Sequence, residues 1–343
     1  MDSIARLPAT DRADLFVAIG TGLAMTSEMI EKDFWVCWTL KRLFTLPDLP
    51  AELLFKGGTS LSKVFKIIER FSEDVDLSFN RVGLGFEGMN DPVNIAARKG
   101  HEKKVKKLTE TCRGVIRERF LPRLRAVFSD ALGEPPLVTW GLDLADDDPD
   151  NQTLLFRYPA DIRSAHQPPH IKPVVRLEIG ARSEHWPVVE GTVSPYAADY
   201  FPSKFKEPTC KVRALAAGQT FWEKATVLHA LYYYPADKKL REGRSRHYYD
   251  VVRLYEHELG KTAVRNIDLL TKVVGHKKVF FPAAWARYEE AKPGTLRLVP
   301  PDARRTELQQ DYRKMQEMIF GERLEFEHLL EVLAEIEREV NRG

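Results

Sequence analysis

The stretch from Glu52 to Phe79 constrains the fold more than any other part of this chain. Glu52 to Lys56 reads as a short strand and Gly57 and Gly58 punctuate it. Thr59 or Ser60 then stands where a helix cap belongs, with Val64, Ile67 and Ile68 carrying that helix to about Arg70. At Asp74 the period changes to two: Val75, Leu77 and Phe79 share one face of a strand, and Asp74, Asp76 and Ser78 the other. Glycines at such a turn let the backbone approach a ligand closely, and a helix start offers free N–H groups and a positive dipole end to a triphosphate. Two carboxylates two apart on a strand point to one side, at a separation that suits two divalent ions sharing oxygens. The spacing alone says little. Asp146/Asp148 and Asp148/Asp150 repeat it in a polar loop without alternation, which reads as a solvated turn.

Around this stretch the remaining periodicities predict a mixed α/β part and a helical part. Asp11 to Leu23 and Ser27 to Phe44 read as helices, and Leu137 to Leu142, Thr153 to Tyr158 and Lys172 to Ile179 as strands, with Gln167 to His170 a loop between two of them. Beyond Thr209 the apolar spacing turns helical in Thr220 to Tyr234, Arg246 to Leu259, Val264 to Val274 and two segments from Pro301 onward. A length of 343 residues suits two domains. The expected fold class is therefore an α/β (α+β) domain with a mixed sheet over 1–215, N-terminal helices included, followed by an all-helical domain over 216–343. The expected active site lies in the cleft between them.

Charge and cysteine usage narrow the function classes. The formal net charge is only +2, yet Arg98 to Arg125 holds eleven Lys or Arg against Glu102, Glu110 and Glu118. Val105, Leu108, Cys112 and Val115 fall on one helical stripe there, so the basic residues occupy the outer face, either solvated or in contact with an RNA backbone. Cys37, Cys112 and Cys210 are scattered and never form a CxxC pair, and the nine histidines show no ligand spacing. Neither a zinc site nor a disulfide framework is expected. The Met1 to Asp11 segment has no signal-peptide pattern, and no run approaches the ~18 apolar residues of a membrane span. A cytoplasmic protein without a membrane partner is the expectation.

Phe55-Lys56-Gly57-Gly58-Thr59-Ser60-Leu61, followed by Arg70-Phe71-Ser72-Glu73-Asp74-Val75-Asp76-Leu77, resembles the signature of the AbiEii/AbiGii-type nucleotidyltransferase toxins, a branch of the DNA polymerase β-like superfamily. Glu31-Lys32-Asp33, Glu223-Lys224-Ala225 and Arg246-His247-Tyr248-Tyr249-Asp250 add short matches in the same order. The resemblance implies transfer of a nucleoside monophosphate from an NTP to an acceptor, which for several members is tRNA, with release of pyrophosphate and with an antitoxin as partner. It implies catalytic roles for Asp74, Asp76, Glu178, Lys224 and Asp250. Nucleotide binding falls on Lys56, Gly57, Gly58, Thr59, Ser60 and Lys224. Asp74, Asp76 and Glu178 are the expected metal ligands, for two Mg2+ ions or alternatively Mn2+. The family's late motif often reads Arg-x-Lys-Asp-x-x-Asp, and here Arg244, Arg246 and His247 precede Asp250, so His247 stands where the first Asp would be. Two alternatives remain open from the residues: the same chemistry on a small molecule such as an antibiotic, or a binding protein without turnover.

Overall fold

The computed structural model describes residues 1–72, 74–95, 98–133, 139–160 and 171–342. Glu73 of the quoted motif, the start of the strand expected at Leu137 and the loop expected at Gln167 to His170 lie outside the described residues. The chain divides into two compact units. Met1–Val64, Phe71–Asn90 and Lys106–Ala214 form the first, and Phe65–Arg70, Asp91–Val105 and Leu215–Gly343 the second. Two short segments that precede the expected boundary at 215 thus go with the helical unit.

The first unit carries a mixed sheet made of β1 (Leu53–Lys56), β2 (Asp74–Phe79), β3 (Gly141–Leu144), β4 (Thr153–Arg157), β5 (Val174–Gly180), β6 (Val188–Val193) and β7 (Cys210–Leu215). Their order across the sheet is β3-β4-β5-β2-β1-β7-β6. β2 is central, antiparallel to β1 and parallel to β5, while β1 runs parallel to β7 and β4 antiparallel to both β3 and β5. Alternation gives this sheet one apolar face: Val75, Leu77, Phe79, Leu154, Phe156, Val175 and Leu177 are all buried. On that side Trp38 meets Phe128 edge-on at 4.8 Å and Trp35 stacks on Tyr158 at 5.6 Å. These indoles come from the helix Ser27–Thr45, which Thr26 caps by accepting the Met29 N–H at 3.2 Å.

Three expectations change in the structure. The helix after Gly57 covers only Gly57–Lys63. Lys66 then turns into positive φ, and Arg70 makes an antiparallel bridge to Ile319, so Ile67 and Ile68 are buried without being helical. β6 and β7 are absent from the strands that periodicity suggests. β7 buries Cys210, Val212 and Ala214 and turns Lys211 and Arg213 outward, an alternation too short to stand out where the pattern is turning helical. β3 begins at Gly141, later than the strand expected at 137–142.

The second unit is helical from Ala217 onward, with Ala217–Tyr232, Ser245–Glu256, Ile267–Phe280, Asp302–Met315 and Phe326–Arg342 as its longer helices. The last shows why: Leu329, Leu333, Ile336 and Val340 recur at helical spacing and are buried. Among the described residues no single helix is long and apolar enough to cross a membrane. The pair Ala9–Leu23 and Ser27–Thr45 passes that test only together, bent by 110°.

Candidate active site

Because the apolar side of β2 faces the core, Asp74 and Asp76 must share its other side, where both are half-buried. In the sheet Asp76 lies opposite Lys56 on β1 and level with Glu178 on β5, and Asp74 lies level with Arg176. Neighbours in register share a face. One polar face therefore collects Lys56, Asp74, Asp76, Arg176 and Glu178. The Lys56 ammonium stands 4.0 Å from the Asp76 carboxylate.

Gly57 closes this arrangement. Its φ is +76°, and a Cβ there would collide with the Asp76 carboxylate, so the turn needs a glycine for two separate reasons. The hydroxyls next to it are not placed as expected. The helix starts at Gly57 with Lys56 at the cap position, so Thr59 and Ser60 lie inside its first turn. Thr59 donates to the carbonyl oxygens of Asp74 and Ser72, and Ser60 donates to the Gly57 carbonyl at 2.9 Å. Both side chains are buried. Thr59 therefore ties the glycine helix to the entry of β2, and neither hydroxyl proton is free for a phosphate.

Glu178 is level with Asp76, but its carboxylate turns to Arg176, whose Nε donates to it at 3.1 Å. The same guanidinium holds Asp147 at 3.0 and 3.1 Å, in a loop that the sequence presents as merely solvated. The pairing of Glu178 with Arg176 is an expectation of the sequence, whereas Asp147 is the site neighbour that sequence reasoning missed. Arg176 is legible as the residue two before Glu178 on the same face; Asp147 is not, because only the return of the β3–β4 loop onto β5 brings it there. Among the described residues no group of three His, Cys, Asp or Glu side chains forms a ready-made metal cage. Asp74 and Asp76 still fit magnesium, which is commonly held by one or two carboxylates together with substrate phosphates.

A second cluster carries the other expected residues. In the helical unit Asp250 is wholly buried and accepts from Arg70 Nε at 2.7 Å, Arg70 Nη2 at 2.8 Å and Lys224 Nζ at 2.8 Å. Burial opposes its charge, but Arg70 and Lys224 hold the carboxyl well below the usual range. Asp250 thus positions two cations and has no exposed surface of its own. Burial lowers the Lys224 pKa, Asp250 opposes that, and Arg70 adds to it. His247, one turn before Asp250, is pushed well below its ordinary value by burial and by Lys224 and Arg246. It is neutral where the family's motif often has a carboxylate.

Glu31, Lys32 and Asp33 are all buried in the helix Ser27–Thr45. Asp33 accepts from Lys63 at 2.6 Å and from the Tyr196 N–H at 2.7 Å, and the Lys63 ammonium stands 3.5 Å from the Tyr196 ring centroid. Lys63 ends the glycine helix, so this short motif fastens that helix to the core.

Two carboxylates on one face of the central strand of a mixed sheet, with a glycine turn closed against one of them, are the arrangement that the motif in the sequence leads one to expect. The model of the family described as nucleotidyl transferase AbiEii toxin, of type IV toxin–antitoxin systems, matches residues 38–332, and the chain belongs to that family. It is a nucleotidyltransferase toxin of the AbiEii type. Among solved structures it is similar to MenT4, a nucleotidyltransferase toxin from Mycobacterium tuberculosis, with 18% identity over 96% of this chain and 99% of that one and a TM-score of 0.44. No curated protein matches the sequence.

Proposed function

We propose that this chain transfers a nucleoside monophosphate from an NTP to an RNA acceptor, with tRNA the class the family resemblance suggests, in a reaction that depends on Mg2+ and is restrained by a cognate antitoxin. The observation that carries it is the polar face of β2, which Asp74 and Asp76 share and on which Gly57 closes against Asp76. Asp74 and Asp76 would hold the metal, with Glu178 joining them only by leaving Arg176. When bound, divalent ions supply charge neutralisation at the α-phosphate and acidify the acceptor hydroxyl. An acceptor oxygen bonds to the α-phosphorus as the bond to the bridging oxygen breaks, and that electron pair leaves with pyrophosphate. The hydroxyl proton passes to a carboxylate of this face, for which Glu178 is the candidate.

Lys56 and the main-chain N–H groups around Gly57 and Gly58 would bind the phosphates, a role the Thr59 and Ser60 hydroxyls do not share. For Lys224 a phosphate contact remains the proposal, since an ammonium has three donors and Asp250 accepts from it at one oxygen. RNA is favoured by the exposed Lys99, Lys103, Lys106, Lys107, Arg117 and Arg119 along one helical stretch. A cytoplasmic setting goes with NTP and RNA as substrates.

Incubating the full chain with each labelled NTP and total RNA, with and without Mg2+, tests the reading. Label should enter RNA only with the metal. Asp74→Asn and Asp76→Asn should each lower incorporation roughly a hundredfold or more, with melting unchanged, because carboxylate–metal bonds are worth several kcal/mol in the transition state. Near-normal turnover by either variant would remove the metal site.

A further inference from the structure

The loop from Tyr233 to Arg244 joins the helices Ala217–Tyr232 and Ser245–Glu256 within the second unit. Its backbone is fixed by the helix Asp302–Met315. Glu307 accepts the Leu240 N–H at 2.8 Å, and the two oxygens of Asp311 accept the Gly243 and Ser245 N–H groups at 2.7 and 2.8 Å. Arg304, itself paired with Glu307 at 2.9 Å, donates to the carbonyls of Pro235 and Lys238. Gly243 takes the positive φ, +77°, that the turn requires.

These anchors have a consequence for charge. Asp311 is committed to amides, Glu307 to an amide and Arg304, and Glu242 to Lys314 at 2.9 Å. Arg241, Arg244 and Arg246 make, among the described residues, no hydrogen bond or ion pair to a carboxylate or carbonyl, and the more distant charge of Asp311 attracts Arg244. Arg241 and Arg246 are exposed, whereas Arg244 is half-buried at the edge of a groove lined also by Lys239, Arg241, Glu242, Glu307 and Asp311, with Arg246 outside that lining. Burial, and then the charges of Arg246 and Arg241, lower the Arg244 pKa. The positive end of the helix Ser245–Glu256 adds to the same field. A half-buried guanidinium without a hydrogen-bonded partner, repelled by two others on a rigid backbone, is an arrangement that an anion would complete.

We propose that Arg241, Arg244 and Arg246 form a binding site for linked phosphate groups, those of a polynucleotide backbone or of a nucleotide's phosphate chain. Planar guanidinium forks match phosphate oxygens two at a time, and a loop already held in place loses little freedom when the ligand arrives. If the ligand is RNA, the site deepens the acceptor reading above. It is tested by binding alone, so its failure is distinct from a failure of nucleotidyl transfer.

The full chain without Mg2+ is titrated with a labelled RNA oligonucleotide over a range of salt, and separately with inorganic tripolyphosphate. Comparison is with Arg241→Gln/Arg244→Gln and with Arg241→Gln alone, an exposed change that leaves folding intact. Loss of RNA affinity, with the slope against log salt reduced by roughly one per arginine, assigns the site to a polynucleotide. Loss of the tripolyphosphate-induced rise in melting temperature assigns it to a nucleotide. Both variants binding RNA and tripolyphosphate as the wild type does would overturn the proposal. A double variant that melts earlier than wild type without ligand would also overturn it, since side chains without hydrogen-bonded partners contribute nothing to the fold.

Discussion

Burying a carboxylate costs free energy that only partners recover, and the acidic residues of this chain divide on that ground. Asp250 has no exposed surface and holds Arg70 and Lys224 together. Asp250→Asn keeps the shape but leaves two buried cations facing a neutral amide. It should cost about 3–5 kcal/mol, as broken buried pairs do. Chemical denaturation of the two proteins measures this, and a loss under about 1 kcal/mol would show that the pair is not a structural element. Asp76 is the opposite case. It is partly open to solvent and has Lys56 at the long distance of 4.0 Å, so its removal should act on catalysis and spare the fold. The same residue explains why position 57 is glycine.

At the scale of elements, the basic stretch behaves as a structural ladder with a separate outer face. Leu108, Cys112, Ile116, Phe120, Leu124 and Phe128 recur every four residues and are fully buried. In an α-helix four residues overshoot one turn by roughly 40°, so such a ladder would drift around the axis. The wider turn at Ile116–Phe120, between the helices Arg98–Val115 and Leu121–Leu132, brings it back onto one side. Arg123 and Arg125 are spent on Asp48 and Asp143, whereas Lys103, Lys106 and Lys107 are exposed. Replacing those three lysines by Glu should weaken RNA binding and lower its salt slope by roughly one for each phosphate no longer neutralised, with NTP binding unchanged. An unaltered slope would leave the face as solvated charge.

At the scale of the whole molecule, three histidines shape the response to mild acid, above the range where the carboxylates titrate. Burial lowers His185 to about 4 and also lowers His229 and His247. His229 shows the cause in geometry: Nδ1 accepts the Arg297 N–H at 3.1 Å, so the ring is held neutral. In the unfolded chain these rings take up protons below about 6.5. The unfolded state then binds more protons than the folded one, so stability is full above that pH and falls as the pH drops towards 4. Each ring contributes up to about 1.4 kcal/mol per pH unit within its window. Denaturant midpoints at descending pH should decline over this range, and a flat profile would contradict the burial of these rings.

What the sequence determined by itself is what local chemistry repeats: the alternation that puts Asp74 and Asp76 on one side of β2, the glycines before them, the helical spacing after Ala217, and the short motifs that carry the family resemblance. Each depends on residues a few positions apart, and spacing alone records it. Tertiary structure decided everything that depends on distant segments meeting. It ended the glycine helix at Lys63 because Arg70 pairs with Asp250 and bridges Ile319, long-range contacts that outweigh the apolar period of Ile67 and Ile68. It brought Asp147 to the Arg176 guanidinium and tied the Thr59 hydroxyl to the Asp74 carbonyl. A side chain's type fixes what it can bond to, but which of several partners it takes is settled by the packing that brings one of them within reach.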